Sequence, residues 1–204
     1  MARVRLSQFE TILTINKTKG DFQMKTNERV RFLTVTGLIA GLYTALTVGL
    51  APLSFGLVQC RVAEMLTVLA VYTPTAVPGL TVGCVLSNLI GLAMGANIAG
   101  ALDVLLGPVA TGIAAWLSYR WRRHRLGGLP VVSTLPPVIL NALIVGTELA
   151  AVSPVFTVQV WGIQMALVAA GQVLACVGGG LLLAGALQKT GLDRRLEQNR
   201  FTNR

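Results

Sequence analysis

Charge is scarce in this sequence: only 12% of its 204 residues are Asp, Glu, Lys or Arg, about half the usual share in a soluble domain. Histidine occurs once, as His124, and the three cysteines, Cys60, Cys84 and Cys176, form no CxxC pair. That excludes a zinc site built from these residues and a disulfide framework, and no metal or other cofactor is expected. Cys84 and Cys176 read as small apolar packers. No phosphate-cradling GxxxxGK[ST] loop is present, so the chain carries no P-loop ATPase chemistry of its own. Neither a Ser-His-acid set nor a paired catalytic carboxylate is legible. Ahead of Phe32 there is no apolar core followed by a small-residue cleavage site, as a signal peptide would need.

What is abundant is uninterrupted apolar sequence, with a mean hydropathy of +0.68. Phe32 to Leu50, Thr75 to Met94 and Phe156 to Leu187 hold no charge; Ile98 to Tyr119 holds only Asp103, and Leu135 to Val152 only Glu148. About 20 apolar residues cross a bilayer core as a helix. Five such runs predict an all-α integral membrane protein rather than a soluble bundle. The last run is long enough to suggest that it includes an outer loop. Between Arg61 and Tyr72 a sixth, shorter span of about 16 Å fits at the helical rise. Pro74 and Pro78 then force a reversal, so this segment is expected to be short or partly re-entrant and packed within protein.

The basic residues set the expected topology. Seven of the 17 Lys and Arg precede Phe32, four lie in Arg120–Arg125, five follow Leu187, and Arg61 stands alone. Six spans put all three clusters on one side, and the positive-inside rule makes that side cytoplasmic. The formal charge of +9 is thus explained without nucleic-acid binding. Three regions follow: a polar cytoplasmic segment over residues 1–31, of which 1–23 read as an upstream extension or tail; a six-span domain over 32–188; and a charged cytoplasmic tail over 189–204. The expected location is the cell membrane, with both termini inside.

Ionised groups at mid-bilayer cost about 3 kcal/mol on insertion scales and are seldom idle. Arg61, Glu64, Asn88, Asp103 and Glu148 fall in the outer half of the expected topology, with Asn141 and Gln172 nearer the middle. An outward-facing polar pocket accounts for them together. Structural roles compete: Arg61 and Glu64 could pair locally, Asp103 could cap its helix, and Asn88 and Asn141 could tie helices together. Glu148 has no basic neighbour in its own span, which favours a binding role. Tyr43, Phe55 and Trp161 could stack on a flat ligand, although aromatics near the interface are often belt residues. On the first span Gly37, Gly41, Ala45 and Gly49 recur every four residues and so share a helix face. This stripe admits close helix approach, either within the bundle or from a partner subunit.

Particular stretches carry a family resemblance. They are Ala40-Gly41-Leu42-Tyr43; Leu50-Ala51-Pro52-Leu53-Ser54-Phe55-Gly56; Gln59-Cys60-Arg61-Val62-Ala63-Glu64; Val77-Pro78-Gly79-Leu80 through Ser87-Asn88-Leu89-Ile90-Gly91; Leu102-Asp103-Val104 with Gly107; and Pro136-Pro137 through Asn141 to Glu148-Leu149. In this order and spacing the chain resembles the QueT family over roughly residues 32–187. The resemblance implies a six-helix bundle of the S-component type of energy-coupling factor importers, with no enzymatic activity of its own. It implies capture of a queuosine precursor, a 7-deazaguanine base, queuine or its nucleoside. It also implies a transmembrane coupling subunit and two cytoplasmic ATPases as partners, with Gly37, Gly41 and Ala45 facing the coupling subunit. Candidate ligand contacts are Arg61, Glu64, Asn88, Asp103, Asn141, Glu148, Gln59, Tyr43, Phe55 and Trp161, with Pro52 to Gln59 as a lid. The chain departs from the expected Gly-Glu of the last span with Gly171-Gln172, which points toward a ligand without a cationic amine. An S component for another vitamin or base, and a membrane enzyme or structural bundle, are the alternatives.

Overall fold

The computed structural model describes residues 28–56 and 59–198, and every regular element among them is helical. We number the helices α1 (Glu28–Gly49), α2 (Ala51–Ser54), α3 (Val62–Tyr72), α4 (Ala76–Ala93), α5 (Ala101–Arg120), α6 (Leu135–Ala151), α7 (Val158–Thr190) and α8 (Leu192–Gln198). Five of them, α1, α4, α5, α6 and α7, are long and apolar enough to cross a membrane. Many large apolar side chains point outward, Leu105, Leu174 and Leu182 among them, while Glu64, Asn88, Asp103 and Glu148 are buried. A soluble fold reverses that arrangement. It suits a chain whose outer solvent is lipid, and the protein is a multi-pass membrane protein. The expected segment over residues 1–23 lies outside the described residues.

Residues 28–34 open α1, with Thr34 Oγ1 donating to the Val30 carbonyl. From Val35 onward the described residues form one compact unit. Within it, small residues decide which helices approach closely. A Cβ on Gly83 would lie 2.8 Å from Tyr43 Cβ and 2.9 Å from the Ala40 carbonyl; one on Gly79 would lie 3.0 Å from Ile39 Cβ. The glycines of α4 therefore seat α1 directly on its backbone, and Thr44 Oγ1 reaches the Gly83 carbonyl at 3.2 Å. Gly146 of α6 does the same for α7, where an added Cβ would come within 2.7 Å of Met165 Cα. These contacts are the van der Waals approach on which helix association in lipid relies.

Two expectations need correction. The apolar run from Phe156 is not divided by a loop: only Phe156 and Thr157 lie outside the helix, and Val158–Thr190 is continuous over 33 residues, about 50 Å long. No proline follows Pro154 in this stretch, and Gly179 and Gly180 keep ordinary helical angles. Gly178 and Gly179 end a π-helical segment, Val173–Gly179, and the α-helix resumes at Gly180. The second correction concerns α3. Its first seven residues, Val62–Val68, are 3₁₀ helix and only Leu69–Tyr72 is α. A 3₁₀ rise of about 2 Å per residue stretches the element to about 20 Å rather than 16 Å. It is packed within protein as expected, with eight of its eleven residues buried.

The 3₁₀ part of α3 and the π segment of α7 lie against each other, and a Cβ on Gly179 would sit 3.1 Å from Met65 Cβ. Further along, α3 reaches the end of the bundle that carries the α5–α6 loop, where the Arg125 guanidinium lies 5.7 Å from the Tyr72 ring centroid. The loop turns through Gly127 and Gly128, both at positive φ, a two-residue hairpin geometry that glycine permits. The C-terminal segment meets the same loop. Gln188 Nε2 donates to the Gly128 carbonyl at 3.1 Å, and Arg125 pairs with Glu197 at 3.2 Å. Two of the three basic clusters therefore share one end of the bundle.

Candidate functional site

The opposite end holds the buried polar residues. Asp103 lies three residues after Gly100, the residue that caps α5, and its side chain caps nothing. Instead Asp103 Oδ2 accepts from Arg61 Nη2 in a buried ion pair and from Asn97 Nδ2 at 2.9 Å. Arg61 Nη2 also faces Gln59 Oε1 at 3.4 Å, and its guanidinium lies 5.7 Å from the Phe55 ring centroid. The local pair of Arg61 with Glu64 is thus overturned. Arg61 sits at the N-cap of α3 in an extended conformation, which turns its side chain toward α5 instead of down its own helix. Gln59 enters this turn at φ 44°, a left-handed conformation that costs a non-glycine residue about 1–2 kcal/mol.

Glu64 belongs to a second group. Its Oε1 accepts from Tyr43 at 2.6 Å and from Thr111 at 2.8 Å, donors on α1 and α5. Its Oε2 is buried and makes no hydrogen bond, though Asn141 stands close enough to interact with the carboxylate. Asn141 Nδ2 itself donates to Gln172 Oε1 at 3.1 Å, which also receives Cys176 Sγ at 3.3 Å. Asn88 Nδ2 donates to the Asp103 carbonyl at 2.5 Å. Cys84 lies between the groups, within 3.7 Å of Arg61 Nη1 and Asn88 Nδ2 and 3.6 Å of Thr111 Oγ1.

Glu148 differs from all of these. It is only 3% exposed, yet neither carboxylate oxygen has a hydrogen-bond partner among the described residues. It lies near enough to Asp103 and Arg61 to feel both charges. Nine of the ten expected ligand residues are thus buried, and the network joins eight of them, Glu148 standing beside it through Asp103 and Arg61. Trp161 is not among them. Its Nε1 donates to Thr147 at 2.9 Å on the exposed face of α6 and α7, the position of a belt residue. Tyr43 is fully buried in the core with its hydroxyl committed to Glu64, and Phe55 packs against Gly91, where a Cβ would lie 2.5 Å from the ring. In the expected lid, α2 forms one turn, Phe55 and Gln59 are buried, and residues 57 and 58 lie outside the described ones.

The QueT transporter family model matches residues 33–189. The chain belongs to the QueT transporter family. It is 33% identical over 85 residues, 41% of its length, to the Queuosine precursor transporter QueT of Lactococcus lactis subsp. cremoris (strain MG1363). That alignment spans half of the relative's length. No solved structure matches the chain significantly. Membership of a transporter family places this protein with transporters rather than enzymes.

In this QueT-family chain, sequence reasoning missed Asn97, Thr111, Gly107 and Cys84 as site residues. A signal for two of them existed: Asp103, Gly107 and Thr111 are four apart and share one face of α5. A Cβ on Gly107 would meet Asp103 Oδ1 at 2.5 Å and Asn88 Nδ2 at 2.6 Å, so only glycine leaves room for that pair.

The small-residue stripe of α1 has a different environment. Gly37, Gly41, Ala45 and Gly49 are exposed, and an added Cβ at any of the three glycines would meet nothing within 4 Å. Gly41, Thr44, Ala45, Val48, Gly49, Leu86 and Ile90 line an open apolar groove of about 390 Å³ between α1 and α4.

Proposed function

We propose that this chain is the substrate-capturing S component of an energy-coupling factor importer. In this reading it is a six-element bundle in the cell membrane, with α3 as the short sixth element, and it takes a queuosine precursor from outside. The precursor is a 7-deazaguanine base, queuine or its nucleoside. Uptake is driven by ATP hydrolysis in two cytoplasmic ATPases through a transmembrane coupling subunit. The family match and the name of the Lactococcus relative support the substrate class. The open groove on α1, lined by Gly41 and Ala45, supports docking of a helix of the coupling subunit there.

One observation carries the ligand site: Glu148 is buried with both carboxylate oxygens free. A 7-deazaguanine presents its ring N–H and exocyclic amine as adjacent donors, and a carboxylate offers two parallel acceptors to such a pair. Glu148 takes this edge in the proposal, and Asn88, whose Oδ1 is also buried and free, lies on the same side of the bundle. Phe55 and Gln59, packed over Arg61, close the mouth. Glu148→Gln keeps the shape but replaces one acceptor by a donor. An unpaired buried group costs about 1–3 kcal/mol, so calorimetry on the purified, monodisperse variant should show guanine-like bases bound roughly tenfold to a few hundredfold more weakly. Unchanged affinity would remove Glu148 from the site.

The orientation has its own expected result. With the basic end cytoplasmic, Asp103 and Glu148 lie in the outer half. In a cysteine-free background, a cysteine at Val155 in the α6–α7 loop should react with an impermeant maleimide on intact cells, and one at His124 should not. Labelling at His124 would reverse the topology.

A further inference from the structure

One short element touches both ends of the bundle. At the start of α3 lies the buried polar cluster, where Arg61 pairs with Asp103 and Glu64 accepts from Tyr43 and Thr111. At its other end Tyr72 meets the α5–α6 loop and the C-terminal segment. Between them α3 rests on glycines of α7: a Cβ on Gly180 would lie 3.5 Å from the Met65 carbonyl and 3.8 Å from Val68 Cβ. A glycine surface has no side chain to interdigitate with α3, so it sets the distance between the helices and not their relative height. Most of α3 is 3₁₀ helix, a geometry that often marks a hinge.

The hold on the Tyr72 end is light. Gly191 ends α7 in the left-handed conformation, at φ 68°, and turns the chain back. Leu196 of α8 then packs with Leu129 and Leu187 against Val68, Val71 and Tyr72. The ion pair that fastens this seam, Arg125 with Glu197, has side chains 33% and 38% exposed, and pairs so exposed hold little and are screened by salt. Inside the seam the Tyr72 hydroxyl and Asp193 Oδ1 are buried with no hydrogen-bond partner among the described residues. The opposite end of α3, by contrast, is held by a fully buried ion pair.

We infer that α8 is a clasp: closed over Tyr72, it keeps α3 in the position that assembles the polar cluster, and its opening loosens that cluster from the far end of the bundle. Both ends bias one rigid element, which is the physical basis of coupling between distant sites. Coupling is reciprocal, so whatever fixes Arg61 and Glu64 also tightens the clasp. The inference rests on the reading above only where the cluster is called the ligand site; there it gives the basic end of the bundle a lever on ligand affinity.

Hydrogen–deuterium exchange on the full-length protein in lipid nanodiscs tests the clasp without a ligand. Two variants open it from different sides. Leu196→Asp places a charge against the apolar seat. Gly191→Val leaves the seat intact but disfavours the left-handed turn, at a position where a Cβ meets nothing within 4 Å. In both, amides of Val62–Val68 should exchange at least about fivefold faster, the low end of coupling between sites, while those of α4 and α6 keep their wild-type rates. A rise confined to α8 and Leu69–Tyr72 overturns the inference, since the tail then covers the end of α3 and does no more. An equal rise in α4 and α6 is general loosening and overturns it as well. Should Leu196→Asp not fold, Gly191→Val alone decides. Calorimetric affinity for 7-deazaguanine should fall at least about fivefold in the same variants; unchanged affinity beside faster exchange in Val62–Val68 overturns the lever on the ligand. If the wild type does not bind this base, the substrate reading is what fails, and the exchange result still decides the clasp.

Discussion

Asp103→Ala should cost the folded protein about 3–5 kcal/mol, the penalty for leaving one member of a buried ion pair alone. Arg61 is 3% exposed, and among the described residues Asp103 is its only carboxylate partner. Its other contacts are weak: Gln59 at 3.4 Å, the Cys84 thiol at 3.7 Å and the Phe55 ring. None of them neutralises a guanidinium. Asn97 Nδ2 loses its acceptor at the same time, adding an unsatisfied amide to the unsatisfied charge. The double variant Arg61→Met/Asp103→Ala removes the charge together with its partner, and buried pairs replaced by apolar groups often lose little stability. It should therefore recover most of the loss. Denaturant or thermal unfolding in a single detergent, followed by circular dichroism, measures both. If the single variant unfolds within about 1 kcal/mol of the wild type, or the double variant does no better than the single, the pair is not what holds α3 to α5.

That ion pair shows how far the sequence could be read. The spans were legible because lipid demands long charge-free runs, and the five helices long and apolar enough to cross are those the runs marked out. The rare polar residues inside them were legible as a group for the same reason. Which of them pair was not. Arg61 and Glu64 are three apart, a spacing that on an α-helix brings side chains together. Here Arg61 precedes a 3₁₀ helix in an extended conformation, so it turns away and Asp103, 42 residues later, takes the charge. Local spacing could not reveal a backbone that is not α-helical at the position in question. The same limit hid the continuity of α7, which runs through a π segment and not a loop. For Trp161 the sequence left a stacking role and a belt position both open, for another reason. Depth along a span follows from counting residues, but the exposure of a side chain follows from packing: Trp161 lies along α6 with its indole N–H on Thr147 and stays 37% exposed.

Gly41→Leu should abolish uptake while the isolated subunit binds ligand as before. Gly41 is exposed, and a Cβ built on it meets nothing within 4 Å. The fold therefore has no need of glycine at this position, and leucine is the better helix former by close to 1 kcal/mol. In lipid an added apolar side chain costs nothing by exposure. Nor does it reach the polar cluster: Tyr43, two residues on, is buried on the opposite side of the helix from the stripe. What it does fill is the groove lined by Gly41, Ala45 and Gly49 on α1 and Leu86 and Ile90 on α4. Small residues at a spacing of four let a second helix approach almost to backbone contact, and a leucine there holds the two helices apart. The two readouts separate the possibilities. Uptake of labelled ligand into cells expressing the complete transporter should fall to background, and calorimetric affinity of the purified variant should stay within about twofold of the wild type, under 0.5 kcal/mol. Pull-down of the coupling subunit should fail in parallel. Loss of ligand binding together with uptake would mean that the stripe supports the site and not a partner. Normal uptake would mean that the groove is a lipid-facing surface with no helix against it.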